Sequence, residues 1–99
     1  MSCYFVIDTY IDKGHGRGEY DEYIDKVKPI VEKYGGIYLC RTEKVTSLSP
    51  LRTPQRVIII KFPDRERLQA CFSSDEYKSI EQKRTGSVDA RAVIAEEEA

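Results

Sequence analysis

Tryptophan is absent from the 99-residue chain, and histidine and methionine occur once each. A single imidazole, His15, leaves little from which to build a zinc site or a nucleophile–histidine pair. Cysteine is sparse and dispersed. Cys3, Cys40 and Cys71 lie more than thirty residues apart, each in an apolar segment and none in a Cys-x-x-Cys pair. They are expected to be small buried hydrophobes without a metal, and free thiols point to a reducing, cytoplasmic setting. A basic excess is also missing: 16 Lys plus Arg stand against 17 Asp plus Glu, for a net charge of −1. Nothing steers such a chain to a nucleic-acid backbone or an anionic lipid surface, so neither is expected as a partner. No apolar run approaches membrane-spanning length. The start of the sequence lacks a basic segment and meets Asp8 early, so no signal peptide is expected. Neither a dinucleotide fingerprint nor a P-loop is present, and no cofactor is expected.

What the chain does have is one unbroken β-branched run, Val57-Ile58-Ile59-Ile60, between Arg56 and Pro63. Four consecutive branched residues do not alternate between core and water. The run predicts a central strand that needs cover on both faces.

Residues 3–11 are aromatic and β-branched and predict the first strand, with Cys3, Phe5, Ile7 and Thr9 on one face and Tyr4, Val6, Asp8 and Tyr10 on the other. Asp8 is the odd member of its row. It is either near water at a sheet end or part of a pocket. Gly14, Gly16 and Gly18 then mark a loop in which His15 and Arg17 could add donors and charge for an anion, although a long turn or lid is the simpler reading.

From Glu19 the apolar period changes to three and four. Tyr20, Tyr23, Ile24, Val27, Ile30, Val31 and Tyr34 share one face of an amphipathic helix, with acids early and lysines late. Pro29 predicts a kink or restart, and Gly35-Gly36 a left-handed stop. The helix tyrosines are either core-edge residues with wetted hydroxyls or the lining of an aromatic pocket for a small organic ligand.

Residues 37–46 predict the second strand, with Arg41 on an otherwise apolar row. Arg41 is either paired with Asp8 or Glu43 or anchors an anion in a cavity. A loop with Pro50 and Pro54 leads to the central strand. Asp64 is the expected N-cap of the next helix, whose stripe is Leu68, Cys71 and Phe72, and Ser73 with Glu76 fits a capping box that restarts it. Tyr77 and Arg84 should then point together. Residues 89–95 predict the last strand, and residues 96–99 a solvated acidic tail.

Strand, helix, strand, strand, helices, strand is the order of an α+β, ferredoxin-like βαββαβ domain spanning residues 1–99, with a four-stranded antiparallel sheet. Helices cover one face of such a sheet. The other face is also apolar, so a homodimer in which two sheets face each other, a dimeric α/β barrel, is expected.

Tyr34-Gly35-Gly36 with Arg41, the segment Arg56-Val57-Ile58-Ile59-Ile60-Lys61-Phe62-Pro63, and Ser74-Asp75-Glu76-Tyr77 with Arg84 together resemble a bacterial family of dimeric α/β-barrel proteins, domain-of-unknown-function family 1330. The resemblance covers nearly the whole chain. It implies a homodimeric ferredoxin-like barrel with a cleft near the sheet and no established reaction, and marks Gly36, Arg41, Arg56, Tyr77 and Arg84 as signature residues. Lys61 stands where the family usually has an acid, and Leu51 near a frequent tryptophan, so no acid–base role carries over to position 61.

Two functions follow as expectations. In one, the cleft binds a small anionic or phenolic compound, as in similar cofactor-free barrel enzymes, with Arg41, Arg56 and Arg84 binding the anion, Tyr77 positioning it, and His15 or Asp8 moving a proton. In the other, the protein is a non-catalytic ligand-binding or dimerisation module whose arginines sit in structural ion pairs.

Overall fold

The computed structural model describes residues 1–11 and 18–98. The glycine loop with His15 and Arg17 therefore lies outside the described residues.

The elements are β1 (Cys3–Tyr10), α1 (Tyr20–Lys33), β2 (Ile37–Thr42), β3 (Arg56–Phe62), α2 (Arg65–Ser73), α3 (Asp75–Lys78), α4 (Glu81–Thr85) and β4 (Asp89–Glu96). The strands form one antiparallel sheet in the order β2-β3-β1-β4. This is the βαββαβ arrangement expected of an α+β ferredoxin-like domain.

Strand alternation sets the two faces of the sheet. Cys3, Phe5, Ile7 and Thr9 stand opposite Phe62, Ile60, Ile58 and Arg56 on one side, and opposite Glu96, Ile94, Ala92 and Ala90 on the other. Helices pack on this face. The core joins Ile58, Ile60 and Phe62 to Tyr20, Tyr23, Ile24, Val27 and Val31 of α1 and to Leu68 and Cys71 of α2. Val57, Ile59 and Lys61, pointing the other way, are only half-buried. The β-branched run thus has protein on one face, and its other face lies beside exposed Ile37, Leu39 and Val93.

Helix α1 runs unbroken through Pro29, without the restart that proline predicted. Asp64 caps α2 as expected, its carboxylate accepting from the Arg67 amide at 2.8 Å. The next cap falls one residue later than the capping-box pattern indicated. Ser73 still belongs to α2 and donates to the Gln69 carbonyl, whereas Ser74, in extended backbone, accepts from the Tyr77 amide at 3.1 Å. That bond fixes the first turn of α3 and with it Tyr77.

At the end of α1, Gly35 takes φ +87, and Gly36 donates to the Val31 carbonyl at 2.9 Å. A side chain at Gly36 would run into Val31 and stand 3.0 Å from the Phe62 ring. Glycine is there because β2 must leave close to the helix it follows.

Strand β2 ends at Thr42, four residues before the expected end. The Thr42 hydroxyl accepts from the Lys44 amide at 2.9 Å, a local turn that competes with further pairing. The connection to β3 is tied back to β1: the Gln55 amide donates to the Thr9 carbonyl at 3.0 Å, and the Gln55 side chain accepts from the Ile11 amide at 2.7 Å.

Candidate binding cleft

The helices do not fill the space over β4. Its helix-facing residues Ala90 and Ala92 carry only methyl groups, and against Phe5 and Ile7 of β1 they leave a cavity of about 130 Å³. Tyr23 of α1, Tyr77 of α3 and Arg84 of α4 close it from above. A groove of about 450 Å³ shares Phe5, Tyr77 and Arg84 with it and continues past Leu68, Phe72 and Glu81 to Ile94. The two spaces together are of the size that small organic ligands occupy.

The walls are part of the packed core: Tyr23, Leu68 and Tyr77 belong to it, and Phe5, Ile7 and Phe72 pack against it. Phe72 stacks on Phe5 with ring centroids 4.4 Å apart and meets Tyr77 edge-on at 4.9 Å. Tyr23 and Tyr77 are 4% and 5% exposed, and their hydroxyls hydrogen-bond to each other at 3.0 Å. Arg84 lies with its guanidinium carbon 6.0 Å from the Tyr23 ring centroid. Burial works against its charge, but the two tyrosine hydroxyls outweigh that and hold the arginine pKa above its ordinary value. Burial, and then the Tyr77 hydroxyl, push the Tyr23 phenol far above the ordinary tyrosine range, so it stays protonated and able to donate. Among the described residues the acid beside the arginine is Glu81, one turn back on α4, whose half-exposed carboxylate is 4.0 Å from Arg84. The cleft therefore offers a cation, two phenol hydroxyls and flat apolar walls.

Of the residues singled out in the sequence, Tyr77 and Arg84 meet here. The others do not. Asp8 faces the opposite side of the sheet, where Arg52 clasps it through two bonds of 2.6 and 2.9 Å, so the sheet separates this carboxylate from the cleft. Neither Asp8 nor Glu43 pairs with Arg41. Glu43 lies 3.3 Å from Arg56, which is buried with its guanidinium 5.8 Å over Tyr20 and its Nε without a hydrogen-bond partner among the described residues. A register shift between Tyr38 and Cys40 sets Arg41 opposite Ile58, on the helix-covered side rather than in the Ile37–Leu39 row, and its guanidinium sits 5.7 Å over the Tyr38 ring. His15 lies outside the described residues. Among the described residues, no group of three His, Cys, Asp or Glu side chains is placed to hold a metal ion, and no helix is long and apolar enough to cross a membrane. Tyr23, read from the sequence as either a core-edge or a pocket-lining residue, lines the cavity, and Glu81 joins it without having been selected. The three-residue step from Tyr20 to Tyr23 was the available signal for the first, since it fixed Tyr23 on the inward face.

A family model for a domain of unknown function, DUF1330, matches residues 2–97. The chain belongs to the DUF1330 family. No curated protein matches it in sequence. Among solved structures, the DUF1330 chain resembles RPA0582, a protein of unknown function from Rhodopseudomonas palustris, with a TM-score of 0.79 at 15% identity over 99% of this chain and 83% of that one. A dimeric ferredoxin-like protein of unknown function from Jannaschia sp. CCS1 aligns with a TM-score of 0.64 at 14% identity, over 97% and 99% of the two chains. A variant of SnoaB, a cofactor-independent oxygenase from Streptomyces nogalater, aligns with a TM-score of 0.70 at 8% identity, over 99% and 94%. At these identities the likeness is one of fold, and it is to ferredoxin-like proteins.

Proposed function

We propose that the DUF1330 chain binds a small anionic or phenolic organic compound in the cleft between β4 and the helices, and does so as a cytoplasmic homodimer. The observation that carries the first part is Arg84, partly buried beside the Tyr23–Tyr77 hydroxyl pair in an otherwise apolar cavity, with the one carboxylate beside it among the described residues, half-exposed Glu81, 4.0 Å away. A guanidinium so placed is ready for an ionised oxygen. The second part is supported by exposed Ile37, Leu39 and Val93 on the uncovered sheet face, and by the Jannaschia protein, which is dimeric on a similar fold.

A thermal-shift series with benzoate, salicylate, phenol and inorganic phosphate tests the ligand. A ligand at a hundredfold excess over its dissociation constant stabilises by about 2.7 kcal/mol. The aromatic acids should raise Tm, phosphate should not, and Arg84→Met should abolish the shift while the tyrosine pair keeps its bond. No shift with any aromatic compound, or one unchanged in Arg84→Met, overturns the proposal. For the dimer, light scattering should give twice the chain mass for the native protein and a monomer for Val93→Asp.

A second reading for two of the arginines has its own support. Arg52 and Arg56 are each engaged by a carboxylate, Asp8 and Glu43, and act as structural pairs. A cofactor-free reaction would be the catalytic extension of the binding reading, with SnoaB as precedent on a similar fold. Among the described residues lining the cleft, Glu81 is the one carboxylate that could move a proton.

A further inference from the structure

The donors and acceptors inside the cleft do not balance, and the imbalance specifies the ligand more narrowly. Tyr23 and Tyr77 bring one O–H each, and Arg84 brings N–H donors and no acceptor. One hydroxyl proton is used between the two tyrosines, at 3.0 Å. Arg84 lies beside the pair, its guanidinium carbon 6.0 Å from the Tyr23 ring centroid, and has no lone pair to offer either hydroxyl. The second hydroxyl proton then has no acceptor among the described residues. Glu81 is the acid facing this group, and it lies against Arg84 rather than either tyrosine. From β1 and β4 only Phe5, Ile7, Ala90 and Ala92 face the cavity, and none carries a polar side chain. An unused donor and a guanidinium thus point into one apolar space. Both tyrosines are almost wholly buried, so water competes poorly there.

A neutral hydroxyl would bring another proton into a site that already has one too many. An oxyanion brings only lone pairs. The stacked Phe5 and Phe72 rings form a flat wall beside it, which a planar conjugated body can lie against. Resting on the binding reading above, we propose that the cleft binds the ionised oxygen of a planar phenol or enol in preference to its neutral form, so that the bound compound is held as the phenolate or enolate. Binding then moves the proton from the ligand's oxygen to solvent or buffer and leaves the electron pair on that oxygen, facing the tyrosine proton and Arg84. Ionisation shifts electron density onto the ring or the α-carbon, which is the form of such compounds that reacts with electrophiles.

The probe is 4-nitrophenol, whose phenolate absorbs in the visible and whose neutral form does not. At a pH one to two units below its own ionisation, binding to the intact protein should raise the ratio of ionised to neutral compound at least tenfold, a shift of about one pH unit. The double change Tyr23→Phe and Tyr77→Phe, which removes both hydroxyl donors but keeps the rings, should reduce the shift, and Arg84→Met should abolish it. Arg91→Met, on the opposite sheet face, should leave it unchanged. Benzoate run in parallel separates the two levels of the proposal. If benzoate binds through Arg84 and bound 4-nitrophenol stays neutral, this inference fails and the binding reading stands; if neither binds, both fail.

Discussion

Replacing Tyr77 and Tyr23 by phenylalanine, singly and together, measures whether the pair that heads the cleft is one interaction or two coincident hydroxyls. In the structure their oxygens are 3.0 Å apart and both rings are at least 95% buried, being 4% and 5% exposed. Tyr77→Phe removes one partner and strands the other in a site with little water. A lost hydrogen bond contributes about 1 kcal/mol net, and the stranded group raises the cost to about 1–3 kcal/mol. Tyr23→Phe should cost the same by symmetry of the bond. In the double variant the shared bond is lost once, so the total should fall short of the sum of the singles by about 1 kcal/mol, within the range found for groups in direct contact. Urea unfolding at fixed protein concentration gives each value, the concentration being held because a dimer's stability depends on it. Additivity to within about 0.3 kcal/mol would refute the bond.

Alkaline pH should unfold the protein in stages. Burial pushes the Cys71 thiol up to about 11 and the Tyr38 phenol up to about 12, and it raises Tyr23 further still. Each group is protonated more strongly in the fold than in the unfolded chain, so its contribution is complete below the unfolded value and fades as pH rises above it. The urea midpoint should hold to about pH 9 and then fall, through Cys71 first and the tyrosines beyond about pH 10; a flat profile to pH 11 would contradict this. Gly36→Ala should destabilise by about 1–3 kcal/mol, because the added methyl meets Val31 and the Phe62 ring; thermal unfolding with no change in Tm would show that β2 has room to move. Arg56→Met should be nearly neutral or stabilising despite the arginine's burial, since it removes a buried Nε that has no hydrogen-bond partner among the described residues, and the Glu43 side chain is half-exposed with or without the arginine. A loss of several kcal/mol in urea unfolding would instead mean that the Arg56–Glu43 pair, or the stacking on Tyr20, holds the strand.

The fold was legible because its signals are periodic. Alternation in β1, the three-and-four spacing of α1 and the Asp64 cap each rest on local chemistry that the structure keeps. Tyr77 and Arg84 were legible together for a similar reason, although the helix between them breaks at Ser79 and Ile80. Arg41 was misplaced because a strand's alternation holds only while its register does. The irregularity between Tyr38 and Cys40 changes the side without changing any residue type. The partner of Asp8 was hidden for another reason. Arg52 comes from a loop 44 positions away, and loops carry no period from which to infer a contact. Tyr23 was ambiguous because tyrosine satisfies an apolar pattern whether its hydroxyl reaches solvent or another hydroxyl.

The cleft has two kinds of wall, and they differ in how freely they can change. Its polar end is made of Tyr23 and Tyr77, which also hold α1, α3 and the Phe72 cluster together, so a substitution there disturbs folding and recognition at once. Its far side is β4, where Ala90, Ala92 and Ile94 contribute surface but lie outside the buried core. A larger or smaller side chain on that strand reshapes the space with little effect on the rest of the domain. Proteins built this way can diverge in the size and outline of the compound they accept while keeping the same charged head-group chemistry, and an engineer seeking a new ligand should vary β4 first.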